Sequence, residues 1–263
     1  MDNLRKYGGE PYDLVLLHGG PGVPGEIEPV ARRLSISFGI LEPLLLTLSV
    51  EEQLKELHSI IIENCDHPVV IIGHSWGAWL GFMFVSLYPG SAKKLIMIGA
   101  PPFDEKYAAD ITATRLSRLS DEEKIWFLDA ERAIQSAPEE NHDIMKRYVN
   151  LILKTDSFDL IPSDNQELNF YPSVFKKVWA EASQLRKSGE LIGYAKNINC
   201  PVVALHGDYD PHPADGVKVP LSNALKNFRL TLLEQCGHYP WKEKHARDIL
   251  YKIFYKEIGS SCI

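Results

Sequence analysis

Cysteine is scarce and scattered. The four present, Cys65, Cys200, Cys236 and Cys262, form no Cys-x-x-Cys pair and have no histidine at zinc-ligand spacing. That argues against a disulfide-stapled scaffold and against a structural metal site, and it reads as free thiols in a reducing cytoplasm. Basic charge is in deficit, with 28 Lys and Arg against 35 Asp and Glu and a net charge of −7. There is no basic stripe, so nucleic-acid binding is not expected. Long apolar runs are also missing. None approaches the roughly 20 residues that cross a bilayer. The opening Met1-Asp2-Asn3-Leu4-Arg5-Lys6-Tyr7 is polar, not a hydrophobic leader. The expectation is a cytoplasmic protein without membrane contact. No phosphate-cradling Gly-x-x-x-x-Gly-Lys and no dinucleotide fingerprint follows a strand, so no cofactor is expected.

What is there is a β/α alternation. A chain of 263 residues, 45% of them hydrophobic, can bury one domain with an insertion. Asp13-Leu14-Val15-Leu16-Leu17 is a short apolar run ending in His18-Gly19-Gly20-Pro21-Gly22, hence a buried parallel strand and a tight loop. Ile27 to Leu34 has a helical apolar face. Ile40 to Leu46 predicts a strand, at an edge or irregular because of Pro43. Ser49-Val50-Glu51-Glu52 is a capping box opening a helix. Two further strands, Pro68 to Ile72 and Lys94 to Ala100, flank a helix from Ala78 to Tyr88. This spacing predicts a mostly parallel twisted sheet with helices on both faces.

The pattern then changes. Strand-like runs vanish over the next ninety or so residues, and helices are predicted at Lys124–Ser136, Glu139–Lys154 and Ser173–Lys187. The expected organisation is a core of 1–103 and 196–263 with a helical cap, or lid, at 104–195. Strands return at Pro201 to Leu205 and Arg229 to Leu233, and a last helix is predicted from Lys242 to Ile258.

Three features carry chemistry. Gly73-His74-Ser75-Trp76-Gly77 joins a strand to a helix, the setting of a nucleophile elbow. Gly207-Asp208-Tyr209-Asp210 follows the first returning strand, and Gly237-His238 follows the next. A Ser, an acid and a His at strand ends on one sheet edge can meet in space. In this order they resemble an α/β-hydrolase with a helical cap, a resemblance that covers nearly the whole chain. It implies Ser75 as nucleophile, His238 as general base and Asp210 as the acid that orients it. Asp208 is the rival acid, or a residue that hydrogen-bonds its own loop. The resemblance also implies an oxyanion hole built from the backbone N–H groups of Gly20 and Trp76. His18 and His74 are read as structural, and His206 and His212 receive no role. Trp76, Trp79 and Trp241 are candidates for an acyl pocket or for core, with core favoured for Trp79.

The implied activity is that of a serine hydrolase working through an acyl-enzyme on a small carboxylic ester. His18-Gly19-Gly20-Pro21-Gly22 also resembles the loop of proline iminopeptidases, which leaves an aminopeptidase as an alternative. Its amine would need cap carboxylates, and Glu131, Glu139, Glu140, Glu167 and Glu181 are the acids available. A ligand-binding receptor-like member or an acyltransferase is the remaining alternative. The expected partner is a small-molecule substrate, with the chain a monomer or homodimer.

Overall fold

The computed structural model describes residues 3–136, 142–162 and 169–259. Strands β1 (Leu4–Tyr7), β2 (Tyr12–Leu17), β3 (Gly39–Pro43), β4 (Val69–His74), β5 (Ala92–Ile98), β6 (Val202–Gly207) and β7 (Phe228–Leu233) form one sheet, ordered β1-β3-β2-β4-β5-β6-β7. Every neighbouring pair is parallel except β1 against β3. The Val/Ile-rich strands are buried on both faces, as a parallel sheet under helices requires. Their period of two divides the core. Val15, Leu17, Ile71, Leu95, Met97 and Ala204 share one cluster, while Leu14, Leu16, Val70, Ile72, Ile96 and Val203 share the other.

Helices cover each side. α1 (Glu28–Leu34) and α10 (Arg247–Gly259) bring Val30, Leu34, Leu250 and Phe254 to the second cluster. α2 (Val50–Asn64), α3 (Trp76–Leu87) and α9 (Asp215–Ala224) pack on the first. The Ser49 side chain accepts the Glu52 N–H at 3.2 Å, so the predicted cap opens α2. Between β5 and β6 lie α4 (Ile111–Ser117), α5 (Asp121–Ser136), α6 (His142–Thr155), α7 (Pro172–Ser188) and α8 (Glu190–Gly193). At α5 the capping box is reciprocal: Ser120 Oγ accepts the Glu123 N–H at 3.3 Å and Glu123 accepts the Ser120 N–H at 2.9 Å. Residues 139–141, where a helix was expected to begin, lie outside the described residues. α5 and α6 share a small core of Phe127 and Leu151 with Leu119. α7 and α8 instead add Val174, Val178 and Leu191 to the main core.

Three expectations are corrected. The segment Leu4–Tyr7 is an antiparallel strand the sequence reading did not anticipate, because four mixed polar residues carry no apolar period. Its presence makes β3 internal, and Pro43 falls on the last paired residue, opposite Leu4, where a missing N–H costs least. The last helix begins at Arg247 and not at Lys242. Pro240–Lys242 is a single 3₁₀ turn, and Glu243 is drawn off to accept backbone N–H groups elsewhere. No described helix is long and apolar enough to cross a membrane.

Gly77 shows how tightly the elbow helix meets the sheet. A Cβ there would collide with the backbone carbonyls of Leu17 and His18 at the end of β2. Gly77→Ala is expected to destabilise the fold by about 1–3 kcal/mol. A lower urea midpoint with unchanged slope would report it; a wild-type midpoint would contradict this packing.

Candidate functional site

Six chain segments reach the carboxyl edge of the sheet, the loops after the six mutually parallel strands β2 to β7. The loop after β4 is a sharp corner. Ser75 sits at φ 50, ψ −114, a left-handed conformation that costs a non-glycine residue on the order of 1–3 kcal/mol. The corner is tight because a Cβ on Gly73 would run into the Gly77 carbonyl. The Ser75 N–H is held by the Ile98 carbonyl at 2.9 Å. Its hydroxyl does not cap α3, and the residue is half-buried. Trp76 begins α3, so its N–H belongs to the helix's unpaired first turn.

The loops after β6 and β7 bring an acid and two imidazoles together. His238 Nδ1 donates to Asp210 Oδ2 at 2.7 Å. His212 donates to the other oxygen twice, from its ring Nδ1 at 2.8 Å and from its backbone N–H at 2.9 Å. Burial alone would raise the Asp210 pKa, but His238 and His212 outweigh it and hold the carboxyl well below its ordinary range. For His238, burial opposes charge, yet the Asp210 carboxylate raises the imidazole above its ordinary value. Burial dominates for His212 and pushes it down to about 4. The result is one carboxylate, one imidazole that is neutral at neutral pH and one whose affinity for a proton is raised. His206 steadies the same loop, its Nε2 lying 2.7 Å from the His212 carbonyl. Among the described residues no hydrogen bond joins Ser75 Oγ to His238.

Asp208, the rival acid, lies elsewhere. Its Oδ1 accepts the Cys236 N–H at 3.1 Å, so it braces the loop after β7. That loop is also held by the insertion. The Asp156 carbonyl accepts the His238 N–H at 2.6 Å, and the Asp156 carboxylate is clamped by Arg115 through Nε at 2.8 Å and Nη2 at 2.6 Å. Glu243 is fully buried and accepts three backbone N–H groups: Phe158 and Asp159, each at 2.7 Å, and Gly237 at 3.0 Å. One carboxylate thus joins the insertion to the residue before His238.

The loop after β2 packs beside the elbow. Gly20 has φ 61, and a Cβ on Gly19 would sit 3.2 Å from the Ser75 Cβ. His18 holds the loop through Nε2 at 3.0 Å from the Leu44 carbonyl. The Gly22 carbonyl accepts the Tyr171 N–H at 2.8 Å, which ties this loop to the start of α7. The tryptophans are core: Trp76 donates to Gln53 and Trp79 to the Pro101 carbonyl, and both are buried, as is Trp241. Of the acids in the insertion, Glu181 accepts the Val50 N–H at 2.8 Å and Glu131 the Tyr148 hydroxyl at 2.9 Å. Glu139, Glu140 and Glu167 lie outside the described residues.

Asp210, His212 and His238 are also the one trio among the described residues whose ligand atoms cluster as a metal site would, all within 4.8 Å. Their carboxylate–imidazole spacings of 2.7 and 2.8 Å are those of N–H···O bonds. Tetrahedral zinc would spread its donors to about 3.3 Å. The trio fits bridging protons better than a metal. Sequence reasoning missed His212, whose only signal was its place two residues after the acid. It also missed Glu26 and Glu243, whose partners are far away in the chain.

Residues 55–244 match a family model described as alpha/beta hydrolase fold. No curated protein is recognisably similar in sequence. Among solved structures, VinJ superposes with a TM-score of 0.72 at 18% identity, over 98% of this chain and 94% of that one. A monoacylglycerol lipase of Paleococcus ferrophilus gives 0.62 at 16% identity, over 98% of each chain. A proline iminopeptidase of Mycobacterium smegmatis gives 0.63 at 12%, over 98% and 94%. At such identities the likeness is one of fold.

The protonation pattern is measurable by imidazole NMR. His212 is expected to stay neutral, with its proton on Nδ1, down to about pH 4. His238 is expected to titrate above the ordinary value of about 6.5. Both rings titrating together near 6.5 would contradict the shared carboxylate.

Proposed function

The chain belongs to the alpha/beta hydrolase fold family of hydrolases, and we propose that it is a serine hydrolase acting through an acyl-enzyme on a small carboxylic ester. The observation that carries this reading is the buried Asp210–His238 bond of 2.7 Å at the sheet edge where the strained Ser75 corner lies. A serine hydroxyl is a weak nucleophile until a neighbouring base takes its proton. In the proposed cycle His238 Nε2 accepts that proton as Ser75 Oγ attacks the ester carbonyl. The Nδ1 bond to Asp210 fixes the tautomer that leaves Nε2 free, and the carboxylate stabilises the imidazolium. The oxyanion is met by the N–H groups of Gly20 and Trp76, each such donor being worth about 3 kcal/mol of barrier. His238 then protonates the departing alcohol. A water, deprotonated by the same ring, releases the acid and restores Ser75. The Ser–His hydrogen bond forms as substrate arrives, which is common where the free site is loose.

Within 104–195 we assign the lid to α4–α6, which have their own small core and bring Asp156 against the His238 loop. Tyr171 and Val174 of the insertion pack against Gly22, so α7 sits directly beside the proposed oxyanion loop. For the iminopeptidase alternative, Glu131 and Glu181 each accept a hydrogen bond, from Tyr148 and from the Val50 N–H, and Glu139, Glu140 and Glu167 lie outside the described residues. A receptor-like member or an acyltransferase would use the same residues and is separated by turnover.

A fluorophosphonate is expected to label the wild type and not Ser75→Ala. p-Nitrophenyl esters should be hydrolysed at rates that fall with acyl length, and prolyl p-nitroanilide should be spared. Selective prolyl cleavage would move the reading to the peptidase, and labelling that persists in Ser75→Ala would end it. The pH profile supplies a second test. His238 serves as base only when neutral, so kcat/KM should fall as pH drops through an inflection above about 6.5. Asp210→Asn should lower kcat by about 10⁴ and move the inflection down. Asp208→Asn should do neither, and a larger loss there than at Asp210 would reverse the assignment.

A further inference from the structure

Glu26 and His74 are buried, and neither takes part in the proposed chemistry. The Glu26 carboxylate lies in the segment between β2 and α1 and is 5% exposed. One of its oxygens accepts the Gly19 N–H at 3.0 Å, beside the loop glycine assigned to the oxyanion hole. Its other oxygen is 2.9 Å from His74 Nδ1. His74 immediately precedes Ser75, and its Nε2 lies 3.0 Å from the His238 carbonyl. Nε2 is thus hydrogen-bonded to a carbonyl, while Nδ1 sits at contact distance from the carboxylate without the direction of a hydrogen bond. The ring cannot swing away, because His238, Tyr239 and Trp241 surround it with ring centroids 4.7, 5.2 and 4.7 Å off. Glu26 is held ionised, at about 2. Burial would raise it, but His74, Lys242 and the Gly19 N–H together outweigh burial, while burial lowers the His74 imidazole itself against the pull of Glu26.

We propose that Glu26 and His74 are positioning residues that lock the oxyanion loop, the nucleophile corner and the general-base loop into one register. This inference rests on the serine-hydrolase reading above and deepens it. The geometry explains why a charged side chain and a histidine are sealed in an apolar edge. Three loops from three strand ends must agree to within a fraction of an ångström. Each loop touches this pair through an atom at or next to its working residue: the Gly19 amide, the His74 side chain itself and the His238 carbonyl. Neither residue touches substrate, so their effect is on the placing of groups that do.

The test compares Glu26→Gln, His74→Asn, His74→Gln and the Glu26→Gln/His74→Gln pair, each confirmed folded by its melting transition. Ester turnover, the rate of fluorophosphonate labelling, and amide exchange at Gly19 and His238 are measured on all. The expected result is a fall in kcat and in labelling rate of about 10- to 100-fold with KM little changed, and faster exchange at both amides. A Gln side chain can reach the Nε2 position and restore donation to the His238 carbonyl, so His74→Gln should outperform His74→Asn. The double variant should lose no more than the worse single, as expected of a unit. Folded Glu26→Gln and His74→Asn with wild-type kcat and labelling would overturn the proposal. A wild type that neither labels nor turns over would instead sink the hydrolase reading. The exchange data would then decide the positioning claim alone: unchanged protection at Gly19 and His238 overturns it, and loss at both supports it.

Discussion

A buried carboxylate with donors on both oxygens organises this edge of the molecule. Asp210 accepts one imidazole N–H on one oxygen, and a second imidazole and a backbone amide on the other. A bare carboxylate in that position would take up a proton. Three donors hold it ionised instead, and its charge then raises one histidine while the other remains neutral. The asymmetry comes from geometry. His212 is two residues away on the same loop and is locked by two bonds to one oxygen. His238 arrives from the next strand with a single bond and an outward nitrogen to spare. The acid thus orients one ring while another fills its remaining capacity, as a buried charge requires.

The same logic extends outward. The His238 loop is held by Asp208, by the Asp156 carbonyl and through Gly237 by Glu243. Two of those three anchors involve the helical insertion. The elements proposed to cover the cleft and the loop proposed to carry the base are consequently coupled by backbone hydrogen bonds. Opening of α4–α6 that shifted Asp156 would be felt at His238. The other flank is held by Glu26 and His74 and by the Gly22–Tyr171 bond. Buried carboxylates with backbone donors therefore recur around the site, each joining segments distant in the chain.

Much of this frame was legible in the residues. Apolar runs of four to six ending in turns that contain Gly revealed β2, β4 and β6, because strands buried on both faces need continuous Val, Ile and Leu, and a similar run revealed the half-exposed edge strand β7. The glycines on either side of Ser75 announced a corner that a Cβ would close. The Gly-x-x-Asp and Gly-His turns gave candidates for acid and base in the right order. What escaped notice was what depends on distant partners. β1 exists because β3 offers it an edge, and Leu-Arg-Lys-Tyr carries no period to reveal that. The last helix starts late because Glu243 is needed by Gly237, Phe158 and Asp159. His212, Glu26 and Glu243 are ordinary polar letters in the sequence. Their significance lies in contacts across 2 to about 85 residues, which no local pattern encodes.

In the proposed cycle Ser75 becomes covalently acylated. This step is tested most directly by mixing the protein with p-nitrophenyl acetate, quenching in acid within the first turnover, and mapping the adduct by mass spectrometry. A single acetyl group on the peptide containing Ser75 is expected, formed together with one equivalent of p-nitrophenol and absent from Ser75→Ala. An acetyl group on any other residue, or turnover with no covalent adduct at any quench time, would contradict it.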